Sequence, residues 1–233
     1  ITRRDWSSDV CSSDLELESV AVSVPELALK LAEKFWPGPL TMILPKHPSI
    51  PTITSGGLDT VGVRMPSHLV ARKLIELSGV PIAAPSANIS GYPSPTTAQH
   101  VMRDMHGKIA AVVDGGDCCV GVESTVIALE GEDSVRILRP GYVTKEMLET
   151  VVPHVTLDKA ILHQLQEGQI VRSPGMKYQH YSPHAHVTLI EGRWPEFAAW
   201  VQQHAEAGTY ALVFDGEGAD LSVPYLTYGT GDA

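Results

Sequence analysis

The sequence predicts an α/β fold built on a mixed β-sheet, and two observations support this prediction. Short runs of branched apolar residues, which are typical of strands, alternate along the chain with longer segments whose apolar residues recur at helical spacing. Glycine and proline separate these segments, as expected for turns. Hydrophobic residues make up 43% of the 233 residues and charged residues 19%, an ordinary composition for a globular protein.

The first regular elements are predicted from apolar spacing and from proline. A helix is expected to start near Pro25, which suits a first helical turn, and to end before Pro37. The segments TMILP (41–45) and VGVRM (61–65) are predicted strands. VPIAA (80–84) is a small, branched apolar run that predicts a buried strand, which the next proline ends.

The second predicted helix has Val70, Leu74 and Leu77 facing a core and ends at Gly79. A third helix, AQHVMRDMH (98–106), is expected to be capped by a threonine at position 96 or 97. The remaining predicted elements of this region are the strands IAAVVD (109–114), TVIALE (125–130) and SVRILR (134–139) and the helix VTKEMLETV (143–151).

The chain is predicted to consist of four parts. Residues 1–15 are rich in serine and aspartate and lack both periodicity and the apolar core of a signal peptide, so we interpret them as a non-native leader. A larger α/β domain is expected over 16–153 and a Pro/Gly/Tyr/His-rich linker over 154–186. Residues 187–233 then start a small Rossmann-like domain, with a strand in HVTLIEG, a helix in PEFAAWVQQHAEAG and a strand in YALVFDG.

The composition argues against several classes of protein. The longest apolar runs are far shorter than the roughly 20 residues of a membrane span, so we do not expect a membrane protein. A formal net charge of −10 opposes nucleic-acid binding. Three cysteines form neither a disulfide framework nor a zinc motif, which favours a reducing, cytoplasmic setting.

Polar groups are concentrated in three short segments. Arg64 ends the apolar strand VGVRM, Ser86 and Asn88 follow the strand at 80–84, and Ser124 precedes another strand. Ligands of open α/β sheets bind at the carboxyl ends of strands, which favours ligand contacts for these side chains. From the residues alone, a surface ion pair for Arg64, ordinary turn chemistry for Ser86 and Asn88, and an unremarkable strand start for Ser124 remain open.

Six blocks in one order resemble the threonylcarbamoyl-adenylate synthase (YrdC-like) family, in its two-domain branch. They are KFWPGPLTMILPK (34–46), VGVRMPSH (61–68), APSANISGYPSPTTAQH (84–100), GVESTVIAL (121–129), RILRPG (136–141) and SPGMKYQHYSPHA (173–185). The resemblance implies a YrdC-like twisted mixed open sheet with helices, followed by a linker and the start of a small Rossmann-like domain. It also implies a fragment truncated at both ends.

The resemblance also implies roles for individual residues. Arg64, Ala84 and Ser124 would bind threonine, with the arginine clamping the carboxylate. Residues expected to contact ATP are Thr60, Ser86, Ser94 and Arg139. Asn88 would brace its loop, and Tyr178, His180 and Tyr181 would belong to a lid over the site. No general base and no protein-held metal are assigned, and Mg²⁺ is expected only with ATP.

The implied reaction converts ATP, L-threonine and bicarbonate to threonylcarbamoyl-AMP and pyrophosphate, the first step of a tRNA modification. tRNA would be involved only through a downstream transferase complex. Family members begin with a threonine-bearing loop and a Lys-x-Arg block that are missing here, so activity is expected of the parent protein. Two alternatives stay open: a double-stranded RNA- or tRNA-binding module of the same fold, and a carbamoyl-transfer domain that uses carbamoyl phosphate.

Overall fold

The computed structural model describes residues 9–11, 17–89, 92–162 and 185–230. The chain divides into two compact units, Ile1–Ser182 and Pro183–Ala233. The described strands of the first unit are β1 (Asp9–Cys11), β2 (Leu40–Pro45), β3 (Thr60–Arg64), β4 (Ile82–Ala84), β5 (Thr125–Leu129), β6 (Ser134–Arg139) and β7 (His154–Leu157). Its described helices are α1 (Leu17–Val20), α2 (Glu26–Phe35), α3 (Leu69–Ser78), α4 (Ala98–Met105), α5 (Lys145–Glu149) and α6 (Lys159–Leu162).

The seven strands form one mixed sheet in the order β4-β1-β3-β2-β5-β6-β7. Strand β3 runs antiparallel to β2, β2 runs parallel to β5, and β5 runs antiparallel to β6. The ends of β3 and β6 therefore lie at the same edge as the starts of β2 and β5. This architecture confirms the predicted α/β class with a mixed sheet.

One face of the sheet carries the hydrophobic core. Leu40, Met42 and Leu44 alternate along β2 and are at most 1% exposed, as expected for the inward side of a strand. Helices α1, α2 and α5 contribute apolar residues to the same cluster, including Leu31 and Leu148, which have no exposed surface. The opposite face of the central strands is consequently the one available for polar side chains.

Several predicted elements are confirmed at their ends. Helix α2 occupies the predicted segment, and α3 ends at Gly79, whose φ of 64° is a left-handed conformation that glycine adopts without strain. Of the two candidate caps of α4, the cap is Thr97, whose hydroxyl accepts a hydrogen bond from the backbone N–H of His100 at 3.2 Å.

The prediction that Val70, Leu74 and Leu77 face the core is wrong. These side chains are 45%, 56% and 74% exposed, and Ile75 is the buried apolar residue of α3. Helical spacing identifies residues that share a face, but it does not say which face has a neighbour. The strand predicted as buried at 80–84 is likewise only partly buried, because β4 is three residues long and lies at the sheet edge.

Two further differences concern segments of weak pattern. The segment 109–114, predicted as a strand, has no regular structure, whereas β1 and β7 are strands that were not predicted from the sequence. Strand β1 consists of Asp9–Cys11, inside the segment 1–15, and pairs with β3 and β4. Three residues are too few for alternation to be visible. That residues 1–15 are a non-native leader stays a prediction.

The second unit contains one helix and two strands among its described residues. Helix α7 (Trp194–His204) and strand β8 (Ala211–Val213) occupy predicted segments, and β9 (Tyr225–Thr227) pairs parallel with β8. The strand predicted within HVTLIEG is absent, because residues 186–192 have no regular structure. The described helices include none that is long and apolar enough to span a membrane. The predicted domain boundaries stay predictions.

Candidate functional site

The strand register places the predicted polar residues on the face opposite the core. Met42 pairs with Val63 on β3 and with Ile127 on β5, and all three belong to the core. Successive residues of a strand face opposite sides, and directly paired residues face the same side. The neighbouring residues Arg64 and Thr41 therefore lie together on the other side of the sheet.

Strands β5 and β6 add two further polar side chains to this face. Thr41 pairs with Val126, which in turn pairs with Arg139. Ser124 precedes β5 and contacts Thr41 directly, since their hydroxyl oxygens are 2.9 Å apart. Arg64, Thr41, Ser124 and Arg139 thus form a row that crosses four adjacent strands, which we call the polar row. With strands about 4.8 Å apart, the backbone positions at its two ends are about 14 Å apart.

Hydrogen bonds hold the centre of the polar row rigidly. The guanidinium of Arg139 donates from Nε and Nη2 to the carbonyl oxygen of Ser124, at 3.1 and 3.0 Å. Its Nη2 also donates to the Ser124 hydroxyl at 2.9 Å. Ser124 is 6% exposed and Thr41 has no exposed surface. Ser124 is therefore fixed from two sides, by a charge-assisted hydrogen bond and by a second hydroxyl.

A β-bulge in β6 determines where Arg139 lies. Ile127 pairs with Ile137, but Val126 pairs with Arg139, so β6 contains one residue more than β5 at this point. The extra residue is Leu138, and both it and Ile137 are buried, which interrupts the alternation along the strand. Without the bulge, alternation would place Arg139 on the core face.

Gly141 supports the backbone on which Ser124 lies. A Cβ at this position would be 2.3 Å from the carbonyl oxygen of Glu123, 2.6 Å from the backbone nitrogen of Thr125 and 2.8 Å from the carbonyl carbon of Ser124. The segment after β6 therefore packs directly against residues 123–125. The glycine of the RPG sequence is required by this close approach, a role that was not predicted from the sequence.

The loop after β4 carries three of the predicted residues. Ser86 is exposed, two residues beyond the strand. Asn88 donates from Nδ2 to the carbonyl oxygens of Ile89 and Tyr92, at 3.0 and 2.8 Å, which is the geometry expected of a residue that holds a loop. The hydroxyl of Ser94 donates to Glu123 Oε1 at 2.8 Å. This bond links the loop to the residue beside Ser124.

The predicted residues do not all lie at the same end of the strands. Arg64 and Arg139 are the last residues of β3 and β6, which end on the same side of the sheet. Strand β4 runs antiparallel to β3, so its last residue, Ala84, lies toward the opposite end. Thr60 starts β3, four residues and about 13 Å from Arg64 along the strand. The rule that ligand groups follow strand ends holds for parallel sheets, and this sheet is mixed.

Three predicted residues are not placed by the structure. Tyr178, His180 and Tyr181, the predicted lid residues, lie outside the described residues. A cleft of about 150 Å³ lies between the start of α4 and residues 112–118. It is smaller than the roughly 300 Å³ that ligand sites usually need, and none of the predicted contact residues lines it. We do not assign it to the site.

Thr41, which belongs to the polar row, and Glu123, which lies beside it, were not singled out from the sequence. Thr41 lies in the block KFWPGPLTMILPK, but its position as the first residue of a predicted strand gave no reason to separate it from its apolar neighbours. Glu123 precedes Ser124 in GVESTV, and only the hydrogen bond to Ser94 reveals its contact. Knowledge of strand pairing would have identified Thr41, because pairing decides which residues share a face.

Two family models and several known proteins are similar to this chain, and they point to the same family. A family model described as telomere recombination, which covers Sua5, YciO and YrdC proteins, matches residues 8–141. A second model, described as the C-terminal domain of threonylcarbamoyl-AMP synthase, matches residues 143–222. A Pyrococcus abyssi protein named threonylcarbamoyl-AMP synthase is 51% identical over 177 residues, which are 76% of this chain and 51% of that protein.

Two further relatives extend this picture. A Bacillus subtilis protein of the same name is 47% identical over 195 residues, covering 83% of this chain and 55% of that protein. The crystal structure of P. abyssi Sua5 complexed with L-threonine matches with a TM-score of 0.82 and 41% identity, over 99% of this chain and 67% of that chain. The chain spans about half the length of the two relatives matched by sequence.

Proposed function

The chain belongs to the family of Sua5, YciO and YrdC proteins, and from this premise we propose that the protein is a threonylcarbamoyl-AMP synthase. It would convert ATP, L-threonine and bicarbonate to threonylcarbamoyl-AMP and pyrophosphate. The observation that carries the proposal is the polar row, in which two guanidinium groups lie at either end of two hydroxyls on one face of a sheet. The names of the relatives support it.

Threonine is proposed to bind at the end of the polar row that includes Arg64. A guanidinium can hold a carboxylate through two parallel hydrogen bonds. Ser124, two strands away, would contact the amino or hydroxyl group of the amino acid, and the backbone of Ala84 would approach it from the edge of the sheet. A zwitterion with separated charges suits a site with a cation at one end and hydroxyls beside it.

ATP is proposed to bind through Thr60, Ser86, Ser94 and Arg139. The described bonds of Arg139 to Ser124 use Nε and Nη2, so a phosphate contact would be made by Nη1. Ser94 would either exchange its bond to Glu123 for a nucleotide oxygen or accept a hydrogen bond from the ligand. Arg139 would then join the two subsites, since it fixes Ser124 and faces a phosphate.

The proposed chemistry has two steps. Bicarbonate loses hydroxide to form carbon dioxide, the threonine amine adds to the carbon dioxide, and the proton that the nitrogen loses combines with the hydroxide as water, which leaves a carbamate. A carbamate oxygen then attacks the α-phosphorus, the bond to the bridging α–β oxygen breaks, and pyrophosphate leaves with the electron pair. The polar row would contribute by positioning the reactants and neutralising charge. We assign no general base.

Mg²⁺ is proposed only as an ion carried by ATP. The described residues bring together no group of three histidine, cysteine, aspartate or glutamate side chains, so their donors do not fit a metal held by the protein. An ion bound mainly through phosphate oxygens needs no such group. No step of the proposed reaction is assigned to residues acting through the metal.

The fate of the product and the cellular compartment are also proposed from the family resemblance. The product would pass to tRNA through a downstream transferase complex, and the reaction would take place in the cytoplasm. Tyr178, His180 and Tyr181 are proposed to cover the site, because an adenylate is labile in water and exclusion of water would protect it.

Calorimetry and a pyrophosphate assay test the proposal. The 233-residue chain is titrated with L-threonine, and Arg64→Ala is expected to weaken binding by about 2 to 5 kcal/mol if the ion pair is desolvated. Arg103→Ala is the matched control, because its side chain is 68% exposed and pairs with Asp104 rather than with the polar row. Unchanged threonine affinity in Arg64→Ala would contradict the assignment.

In the parent protein, release of pyrophosphate from ATP is expected only when threonine and bicarbonate are both present. Equal release without threonine would count against a synthase. Salt-sensitive RNA binding without affinity for nucleotide or threonine would instead support the RNA-binding alternative.

A further inference from the structure

Resting on the proposed function, we infer that Thr41 is a positioning residue for threonine recognition, whose buried hydroxyl holds the Ser124 hydroxyl in the orientation that receives the amino acid. The two hydroxyl oxygens are 2.9 Å apart, and both residues are buried. Neither the family resemblance nor the predicted contacts assign a role to Thr41.

The position of Thr41 in the sheet explains why this residue is suited to the role. Strand β2 lies between β3, which carries Arg64, and β5, which follows Ser124. An amino acid that contacts both Arg64 and Ser124 must therefore cross over Thr41. Because Thr41 has no exposed surface, it acts beneath the ligand and through Ser124.

The hydrogen-bond chemistry makes the orientation specific. A serine hydroxyl has one proton and two lone pairs, and it rotates freely unless its partners fix it. Arg139 Nη2 donates to the Ser124 hydroxyl at 2.9 Å and occupies one lone pair. Thr41 engages either the proton or the second lone pair. The two partners together hold the hydroxyl in one orientation, which a single partner would not do.

Threonine supplies both a hydroxyl and a methyl group, and these can be separated by substitution. Its branched side chain is restricted at χ1, so the hydroxyl is oriented before any ligand binds. Thr41→Val keeps the branched shape and removes the hydroxyl. Thr41→Ser keeps the hydroxyl and removes the methyl group. If Thr41 positions Ser124, threonine affinity should fall when the hydroxyl is removed. If Thr41 only fills space, threonine affinity should fall when the methyl group is removed.

The experiment measures threonine affinity by calorimetry in the full 233-residue chain. Thr41→Val is expected to bind threonine about tenfold more weakly, the effect of one lost hydrogen bond in a charged network. Thr41→Ser is expected to stay within about threefold of wild type, since the hydrogen bond remains. Thr125→Val is the matched control: its hydroxyl is equally buried but donates to the Val143 carbonyl oxygen at 2.7 Å on the core face. It should lower the melting temperature and leave affinity within about twofold.

A double-mutant cycle tests the route through Ser124. In a Ser124→Ala background, Thr41→Val is expected to change affinity by less than about twofold, because the group that it positions is gone. Equal losses in both backgrounds would overturn the inference, and so would unchanged threonine affinity in Thr41→Val. If Thr41→Val does not fold, Thr41→Ala, which also lacks the hydroxyl, takes its place with the same expected and contradicting results. Absence of threonine binding by the wild-type chain would refute the proposed threonine site on which the inference rests.

Discussion

Gly141→Ala should damage the site through the backbone. The added methyl group would lie 2.3 Å from the carbonyl oxygen of Glu123 and within 2.8 Å of atoms of the next two residues. All three contacts are with main-chain atoms, which cannot rotate away as a side chain would. Inserting a methylene group into a packed interior costs about 1 to 3 kcal/mol, and we expect the upper end, about 3 kcal/mol, because the segment must shift as a whole.

The assay is thermal unfolding, followed by a threonine titration. For a unit of this size, about 3 kcal/mol corresponds to a melting temperature about 6 to 12 °C lower. Threonine affinity should fall as well, because the displaced backbone carries Ser124. Gly121→Ala is the matched control, since a Cβ there meets nothing within 4 Å. The reasoning is refuted if both variants melt at the same temperature and bind threonine equally.

Three other substitutions test local interactions. Thr97→Ala removes the cap of α4 and should cost about 1 kcal/mol in urea unfolding, whereas Thr97→Ser should cost little. The Glu196 carboxylate accepts hydrogen bonds from the side chain of Arg193 and, with a smaller effect, from the backbone N–H of Arg193, and these bonds lower the pKa of Glu196. Its carboxylate therefore stabilises the folded state above its ordinary pKa, and this contribution is lost as pH falls through the lowered value. Glu196→Gln should lower the urea midpoint at pH 7, monitored by tryptophan fluorescence, and match wild type in acid. Gly115→Ala places a Cβ 2.5 Å from the His68 ring and should lower the urea midpoint. In a His68→Ala background the same substitution should have little effect, and a loss of stability that persists there would contradict this contact.

Functional residues could be predicted from the sequence where they lie in one of the six blocks that resemble the family. Arg64 and Ser124 could be singled out because the blocks VGVRMPSH and GVESTVIAL that contain them resemble the family, whereas the residues alone left ordinary structural roles open. Their common face could not be predicted, since it depends on pairing between strands that are distant in the sequence. The same limit explains why Thr41 was overlooked.

Helix α3 shows the limit of periodicity. Leu74 and Leu77 have the spacing of a core-facing pair, yet they are 56% and 74% exposed. Amphipathic spacing reports that a face is apolar, and packing then depends on what the rest of the fold places beside it. The edge position of β4 was hidden for a related reason, because strand order follows from tertiary pairing.

Because successive residues of a strand face opposite sides of the sheet, the extra residue Leu138 decides on which face Arg139 lies. Deleting Leu138 would rotate Arg139 by half a turn of the strand, so that its charge would meet the apolar interior instead of Ser124. Exchanging Leu138 for another apolar side chain keeps the count and should preserve that contact. Evolutionary change in this segment is therefore expected to proceed by substitution, while single insertions and deletions are selected against.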